Sequence, residues 1–555
     1  MPFCQHSNFT ENGRCQSDLI SKMFCHCRGR GSSLEDSMAR IKLLNEGSTL
    51  ITEGPPERRL LSTSKQEIDE QGNIRRWTLG VKNPQKIMRT IVLLGETGTG
   101  KSSLINVMTN YILGVEWSDK IRYEIVKEKV RDQTESQTSE VNVYEIFGYE
   151  DIRVPFSLRI IDTPGYGNTN GERRAKKIAE TLCYLIQCED GVHQLDAVCL
   201  VVRASQNRLT PQQRCIFDAI LSLFGKDIKK NIIPVFTFSG VGKPAALAAL
   251  DKFGFSGYRD EKNNLVHFRF DNTPEEEYDE DTSPDYFKNA WEKRKKTMGD
   301  FFKYLNTLET RSLVMTHKVL FERERLECCV KSLQDQIVKA EHKQNEIRQT
   351  QEALEKNKEA IQEKKNFEYV VEESFTEKVE SDTYATVCNK CQFTCHYPCS
   401  FFQDKIFWCA VTPYSDCISC PGKCSLSDHV TEKMRYVLSV RKVTKTYEQL
   451  KEKYEELCRR SESLLKRLQE ELSEIESKKQ KFIFESYNHI IRLHEIALRP
   501  ESLSILQNIN FLIEKLRETK QTEKVQKLEE IDKWTVEAHK FQGEEQDLFN
   551  VLPTI

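Results

Sequence analysis

Residues Gly95 to Ser103 read GETGTGKSS and follow the apolar run Thr90-Ile-Val-Leu-Leu94. Gly95, Gly100, Lys101 and Ser102 fall at the fixed positions of GxxxxGK[ST], a phosphate-binding loop. Its glycines let backbone N–H groups converge on phosphate oxygens with no Cβ in the way. Glu96, Thr97, Gly98, Thr99 and Ser103 complete the cradle, Lys101 supplies positive charge to the β/γ oxygens, and the Ser102 hydroxyl is a Mg²⁺ ligand. A partner motif, Asp162-Thr-Pro-Gly165, ends a second apolar run, Phe156-Ser-Leu-Arg-Ile-Ile161. A carboxylate at the carboxyl edge of a strand is where doubly wound sheets place ligand chemistry. Asp162 is expected to hold Mg²⁺ through water, and the Gly165 N–H to sense a γ-phosphate. Between the motifs, the polar loop Gln133 to Glu140 offers Thr134 and Thr138. A nucleotide switch needs one threonine there for the Mg²⁺ shell, and Thr138, next to the strand that follows, is preferred.

A second constellation lies far downstream. Of 19 cysteines, eight fall between Cys388 and Cys424, namely Cys388, Cys391, Cys395, Cys399, Cys409, Cys417, Cys420 and Cys424, with His396 and His429 beside them. The pairs Cys388/Cys391 and Cys417/Cys420 have the CxxC spacing that sets two sulfurs about a tetrahedral ion. Eight sulfurs and two imidazoles suffice for two Zn²⁺ ions. A disulfide-stapled knob is the alternative, disfavoured in a reducing compartment. Ubiquitin-ligase zinc folds need wider gaps between ligand pairs. Cys4, Cys15, Cys25 and Cys27 are irregularly spaced and read as free thiols.

These groups need elements to position them. Buried strand, glycine loop and helix in succession predict an α/β P-loop NTPase domain with three layers and a mostly parallel sheet, over residues 86–300. Residues 1–40 read as disordered and 41–85 as a linker or accessory segment. From Leu326 the residues Val330, Leu333, Ile337, Ala340, Gln344, Ile347, Gln351, Leu354, Lys358 and Ile361 recur with 4–3 spacing, so 311–366 reads as a coiled coil. Tyr447, Leu450, Tyr454, Leu457, Ser461, Leu464 and Leu468 suggest a second coil over 440–482. Each seam also fits a long amphipathic helix lying on a globular body. The Cys/His segment, 384–430, is then a zinc-type insertion between coils, a metal knob at the tip of an antiparallel hairpin. Residues 483–555 read as helical, interrupted near Arg499-Pro500.

The 555-residue chain is too long for one core. Charged residues make up 30% and apolar residues 38%, a balance that suits long solvent-facing helices. A net charge of −3 gives no basic field for nucleic acid. No run reaches the roughly 18 apolar residues of a membrane-spanning helix. Neither a signal-peptide core nor a lipidation motif is found at the chain ends, and the expected location is the cytoplasm.

From about Thr90 to Phe253 the chain resembles the septin and immune-associated nucleotide-binding (GIMAP-type) GTPases. Besides the two phosphate motifs, the pieces that carry the resemblance are Asn110–Trp117, Ser136–Val141, Asp196–Val202 and Arg208–Arg214. It is similar to a group in which such a domain is joined to coils and a Cys/His segment. The resemblance implies GTP and Mg²⁺ as ligands, slow hydrolysis, and a homodimer or oligomer formed through the nucleotide face and the coils, with a protein partner unknown. Two departures stand out. The base-reading loop should be [NT]KxD, yet Thr237 is followed by Phe238, Ser239 and Gly240, so Thr237 and Ser239 remain as base-side candidates and guanine specificity rests on the resemblance. Tyr166 stands where many small GTPases carry a water-orienting Gln; Arg173 and Arg174 are candidates to reach a neighbouring nucleotide. The rival readings are a non-hydrolysing nucleotide-bound scaffold and a zinc-hook coiled-coil ATPase. The second lacks an apolar strand ending in Asp-Glu.

Overall fold

The computed structural model describes residues 34–68, 74–126, 140–165, 179, 181–188, 190–240, 242–255, 257–272, 284–363, 365–399, 409, 411, 416–448, 462–500 and 503–540. The chain divides into two units, Met1–Thr316 with Glu544–Ile555, and His317–Gly543.

The first unit is built on an eight-stranded sheet. In chain order its elements are α1 (Leu34–Glu46), β1 (Ser48–Thr52), β2 (Glu57–Leu61), β3 (Ser64–Glu67), β4 (Ile74–Leu79), β5 (Met88–Gly95), α2 (Lys101–Ile112), β6 (Ile121–Glu124), β7 (Val141–Ile146) and β8 (Ser157–Asp162). They continue with β9 (Gln194–Leu195), β10 (Ala197–Arg203), α3 (Pro211–Leu221), β11 (Ile232–Thr237), α4 (Ala245–Lys252), β12 (Phe268–Arg269), α5 (Pro284–Thr307) and β13 (Arg311–Ser312). The sheet order is β12-β11-β10-β5-β8-β7-β4-β3. Its pairs are parallel except β7 with β8 and β3 with β4. Side chains alternate across a strand, and both sets are buried here: Ile91 and Leu93 on one face of β5, Val92 and Leu94 on the other. A strand covered on both faces belongs to a three-layer α/β domain.

Residues 41–85 do more than link. β1, β2 and β6 form a small separate sheet, and β3–β4 extends the main one. Leu34 to Arg40, read as disordered from sequence, belong to α1; the rest of 1–40 lies outside the described residues. At its other end the domain runs past residue 300, since Phe301, Phe302 and Leu305 of α5 are core residues. A polar lock closes this side. Asp196 accepts hydrogen bonds from Arg89 Nη1 (2.6 Å), the Thr310 hydroxyl (2.7 Å) and the Thr90 N–H (2.7 Å), while Arg89 also donates to the carbonyls of Asn306 and Leu308.

The second unit contains α6 (Val314–Lys356), α7 (Lys358–Gln362), β14 (Glu368–Cys388), β15 (Phe393–His396), β16 (His429–Thr446), α8 (Glu462–Ile496), α9 (Leu503–Glu518) and α10 (Thr522–Lys540). Part of the expected seam on α6 is buried: Leu326, Val330 and Leu333 pack with Phe482, Ile490 and Leu493 of α8 and with apolar residues of α9 and α10. Gln344, Gln351 and Lys358 of the same seam are exposed, and Glu346 and Thr350 are buried instead. The helix changes its buried face along its length because a β-ribbon covers it.

That ribbon corrects the start of the segment 440–482 read as a coil. Residues through Thr446 are strand, Tyr447 and Glu448 open a helix, the segment 449–461 lies outside the described residues, and helix is described again from Glu462. β14 and β16 pair antiparallel from Glu368↔Thr446 to Cys388↔His429. Val, Thr and Tyr are dense on both strands and suit a pleated surface. Opposite charges face each other across the ribbon, as in Arg441–Glu373 (3.7 Å) and Lys442–Glu372 (4.0 Å). A two-stranded ribbon is marginal alone; here Tyr369 and Val371 pack on Ile347 of α6 and Leu468 of α8. The break near Pro500 appears as expected, between α8 and α9.

Candidate functional site

The phosphate loop leaves the carboxyl end of β5, in mid-sheet between β10 and β8, and enters α2. Gly98 and Gly100 take φ of 75° and 80°, backbone that a β-carbon disfavours. A Cβ on Gly95 would stand 2.4 Å from the Val201 carbonyl oxygen, so only glycine fits between β5 and β10. Lys101 folds over the loop and donates to the carbonyls of Gly95 and Glu96, both at 2.9 Å. Glu96 in turn accepts from Gln213 Nε2 (3.0 Å) at the start of α3, where Thr210 and Gln213 form a reciprocal cap.

Asp162 lies at the end of β8, opposite Leu93, 1% exposed, with neither carboxylate oxygen hydrogen-bonded. Burial pushes its carboxyl up to about 6, and Lys101 opposes the rise. Burial pulls the Lys101 ammonium down to about 8, opposed by Asp162 and Glu96. A buried carboxylate with both oxygens unpartnered fits a cation and its water shell. Thr97 Oγ1 is likewise buried and unpartnered. Gly165 touches the loop: a Cβ there would sit 2.7 Å from Thr97 Cα. Ser102 and Ser103 open α2 half-buried. Thr134, Thr138, Tyr166, Arg173 and Arg174 lie outside the described residues.

On the base side the structure reassigns two candidates. Thr237 is fully buried and its hydroxyl donates to the Thr99 carbonyl (2.7 Å), so it braces the phosphate loop. The Ser239 hydroxyl accepts from Arg269 Nε (3.0 Å), and Arg269 also donates to the Gly240 carbonyl (2.7 Å). Space around Gly240 is open: a Cβ would meet nothing within 4 Å. Phe238, 52% exposed and standing at the Lys position of [NT]KxD, and Asn272, whose buried Oδ1 has no partner and which falls in no sequence motif, are on the same side. Arg203, at the end of β10, was also missed: it donates to the Gly98 carbonyl (2.9 Å) and stacks on Phe238.

In the second unit all ten Cys and His candidates come together in three groups. These are Cys388, Cys391, Cys420 and Cys424; Cys395, Cys417, Cys420 and His429; and His396, Cys399 and Cys409. None of the described cysteines is in a disulfide. Sulfur pairs stand at 3.4 Å (Cys391–Cys424) and 4.0 Å (Cys399–Cys409), far beyond the ~2.05 Å of a disulfide. Burial pushes the Cys388 thiol up to about 12, so a cation is needed to hold it as thiolate. The donor chemistry fits Zn²⁺.

The module caps the β14–β16 ribbon and is not at the tip of a helical hairpin. It lies against the middle of α6 and α8, through Ser332 to Ser419 (3.2 Å) and Lys423 to Glu485 (2.7 Å). The ribbon runs back along the helices and so carries the cysteines to their flank, which removes the end-to-end geometry of a zinc hook.

Residues 89–249 match the AIG1 family model. Over 160 residues the chain is 31% identical to immune-associated nucleotide-binding protein 13 of Arabidopsis thaliana, covering 29% of this chain and 40% of that relative's length. Two structures of Toc33 from Arabidopsis thaliana are similar at lower identity. The one in complex with GDP and Mg²⁺ is 17% identical with a TM-score of 0.26, covering 40% of this chain and 86% of that one. The one in complex with Mg²⁺ and GMPPNP is 19% identical with a TM-score of 0.27, covering 40% and 87%. By the family match, the two phosphate motifs and their geometry, residues 89–249 are an AIG1 family domain, within the immune-associated superfamily of P-loop GTPases.

Proposed function

We propose that this domain binds GTP with Mg²⁺ and hydrolyses it slowly, and that nucleotide controls a homodimer or higher assembly. The observation that carries the reading is Asp162: a buried carboxylate, both oxygens unpartnered, behind a glycine loop whose lysine already spans its carbonyls. Lys101 would meet the β/γ oxygens, and Ser102, Thr138 and Asp162 the Mg²⁺. The helical second unit, read as a coiled-coil stalk, and its zinc module serve in this proposal as the element that meets a partner protein. No helix among the described residues is long and apolar enough to cross a membrane; our reading places the protein in the cytoplasm.

The test is competition of GTP against ATP on the full chain with Mg²⁺. A large preference for GTP is expected; equal affinity for both would remove the guanine reading. Gly240→Asp, placed in open space, should raise the GTP-over-ATP ratio by about 10-fold or more, since a buried specificity hydrogen bond contributes ~1–3 kcal/mol. An unchanged ratio would mean that the base lies elsewhere.

Gly165→Ala should weaken triphosphate binding by about 10-fold and diphosphate binding much less, because overpacking against the loop backbone costs ~1–3 kcal/mol where the γ-phosphate would sit. Equal losses for both nucleotides would deny Gly165 its sensing role. A non-hydrolysing scaffold is the second reading, favoured by the Arg269 clamp on the Gly240 carbonyl where a base-reading side chain is expected. Single-turnover kinetics separates the two.

A further inference from the structure

We infer that the Cys/His module holds three zinc ions, two of them joined through the thiolate of Cys420; this rests on the zinc reading above and deepens it. Two tetrahedral ions need eight donor positions. The first two groups contain seven residues, and Cys420 belongs to both. Sharing its sulfur completes both shells.

The sequence spacing explains why this residue is the shared one. Cys420 closes the CxxC begun at Cys417 and opens the CxxxC that ends at Cys424. Backbone amides mark the sulfurs as acceptors on both sides: Cys420 N–H donates to Cys417 Sγ (3.3 Å) and Cys424 N–H to Cys420 Sγ (3.2 Å). Cys391 N–H does the same for Cys388 Sγ (3.3 Å). With Zn–S near 2.3 Å, the sulfurs of a tetrahedral site stand about 3.8 Å apart, and the measured pairs at 3.4 and 4.0 Å bracket that edge.

The imidazole of the second group is set for a metal. His429 Nδ1 bonds the Ser425 carbonyl (2.8 Å), which leaves Nε2 as the lone-pair nitrogen; Nε2 is buried and without a partner. A ligating histidine is oriented in this way by the hydrogen bond of its other nitrogen. The last cross-strand pair of the ribbon, Cys388↔His429, gives one ligand to each of the joined ions. The third ion takes His396, Cys399 and Cys409, the ligands among the described residues, with Thr386 donating its hydroxyl to Cys399 Sγ (3.3 Å) and Cys409 Sγ (3.6 Å).

Metal counting on the full chain, by elemental analysis and native mass spectrometry, should give three zinc ions per chain. After exchange with ¹¹³Cd, two of three cadmium resonances should be scalar-coupled to each other through the shared sulfur. Cys420→Ala should lose two ions, and Cys388→Ala or His396→Ala one each. Uncoupled resonances, or a Cys420→Ala protein that keeps two ions, would overturn the bridge while leaving zinc binding intact, and two ions in the native chain would overturn the count of three. A metal-free native chain with paired cysteines would overturn the zinc reading itself. The coupling experiment needs no variant, so it decides the matter even if Cys420→Ala fails to fold.

Discussion

Replacing Lys101 with alanine should lower affinity for nucleoside triphosphate by about 100-fold or more and abolish nucleotide-dependent dimers. Charge-assisted hydrogen bonds contribute ~1.5–3 kcal/mol each, and the Lys101 ammonium is buried in the loop, within hydrogen-bond reach of two carbonyls. The loss is larger than one contact because Lys101 also opposes the burial cost of the Asp162 carboxylate. Arginine should not rescue it: a planar fork does not replace a compact ammonium inside a loop this tight. Calorimetric titration of GTP and sedimentation with and without nucleotide measure both effects. Dimers that persist unchanged in the variant would end the switch model, whatever the binding result.

The second large effect concerns stability. Asp196→Ala should destabilise the nucleotide-binding unit by about 3–5 kcal/mol, the usual penalty for stranding one member of a buried ion pair. Asp196 is 1% exposed and receives three donors, among them the Arg89 guanidinium and the Thr90 amide at the root of β5. In a domain of this size that corresponds to a fall in Tm of roughly 6–20 °C. Asp196→Asn should fall between the two, since it keeps an acceptor for Thr90 and loses the charge that balances Arg89. A thermal melt of Asp196→Ala within 2–3 °C of the native chain, well short of the change that ~3 kcal/mol implies, would show that the lock contributes little.

The phosphate site was legible because its geometry is local. Gly95 to Ser102 is one strand-to-helix turn, and Asp162 sits at a strand end that its apolar run announces. The base side was less so. Thr237 matches a motif by type, yet its hydroxyl is used on Thr99, a contact made between β11 and the phosphate loop that no spacing reveals. The last residues of β16, 440–446, were read as coil because the 4–3 pattern from Tyr447 onward was extended back over them, while Val437, Val440 and Val443 and the facing charges of β14 signal strand only once the two segments are paired. Cysteine spacing picked out the residues that the fold brings together. It did not sort them, because the sorting depends on Cys388 lying across from His429.

Phe367 and Tyr447 stack with ring centroids 5.2 Å apart and planes 15° from parallel. The chain therefore enters and leaves the ribbon and its Cys/His module at a single point. A segment whose ends coincide is, topologically, a cassette: it can be gained or lost without redirecting the helices that flank it. A helical body without the cassette and one with it can accordingly share one ancestral path. What the cassette leaves behind is its footprint on α6, where Glu346 and Thr350 are buried in place of the heptad positions Gln344 and Gln351. Relatives that lack the cysteines should restore apolar residues at those two heptad positions.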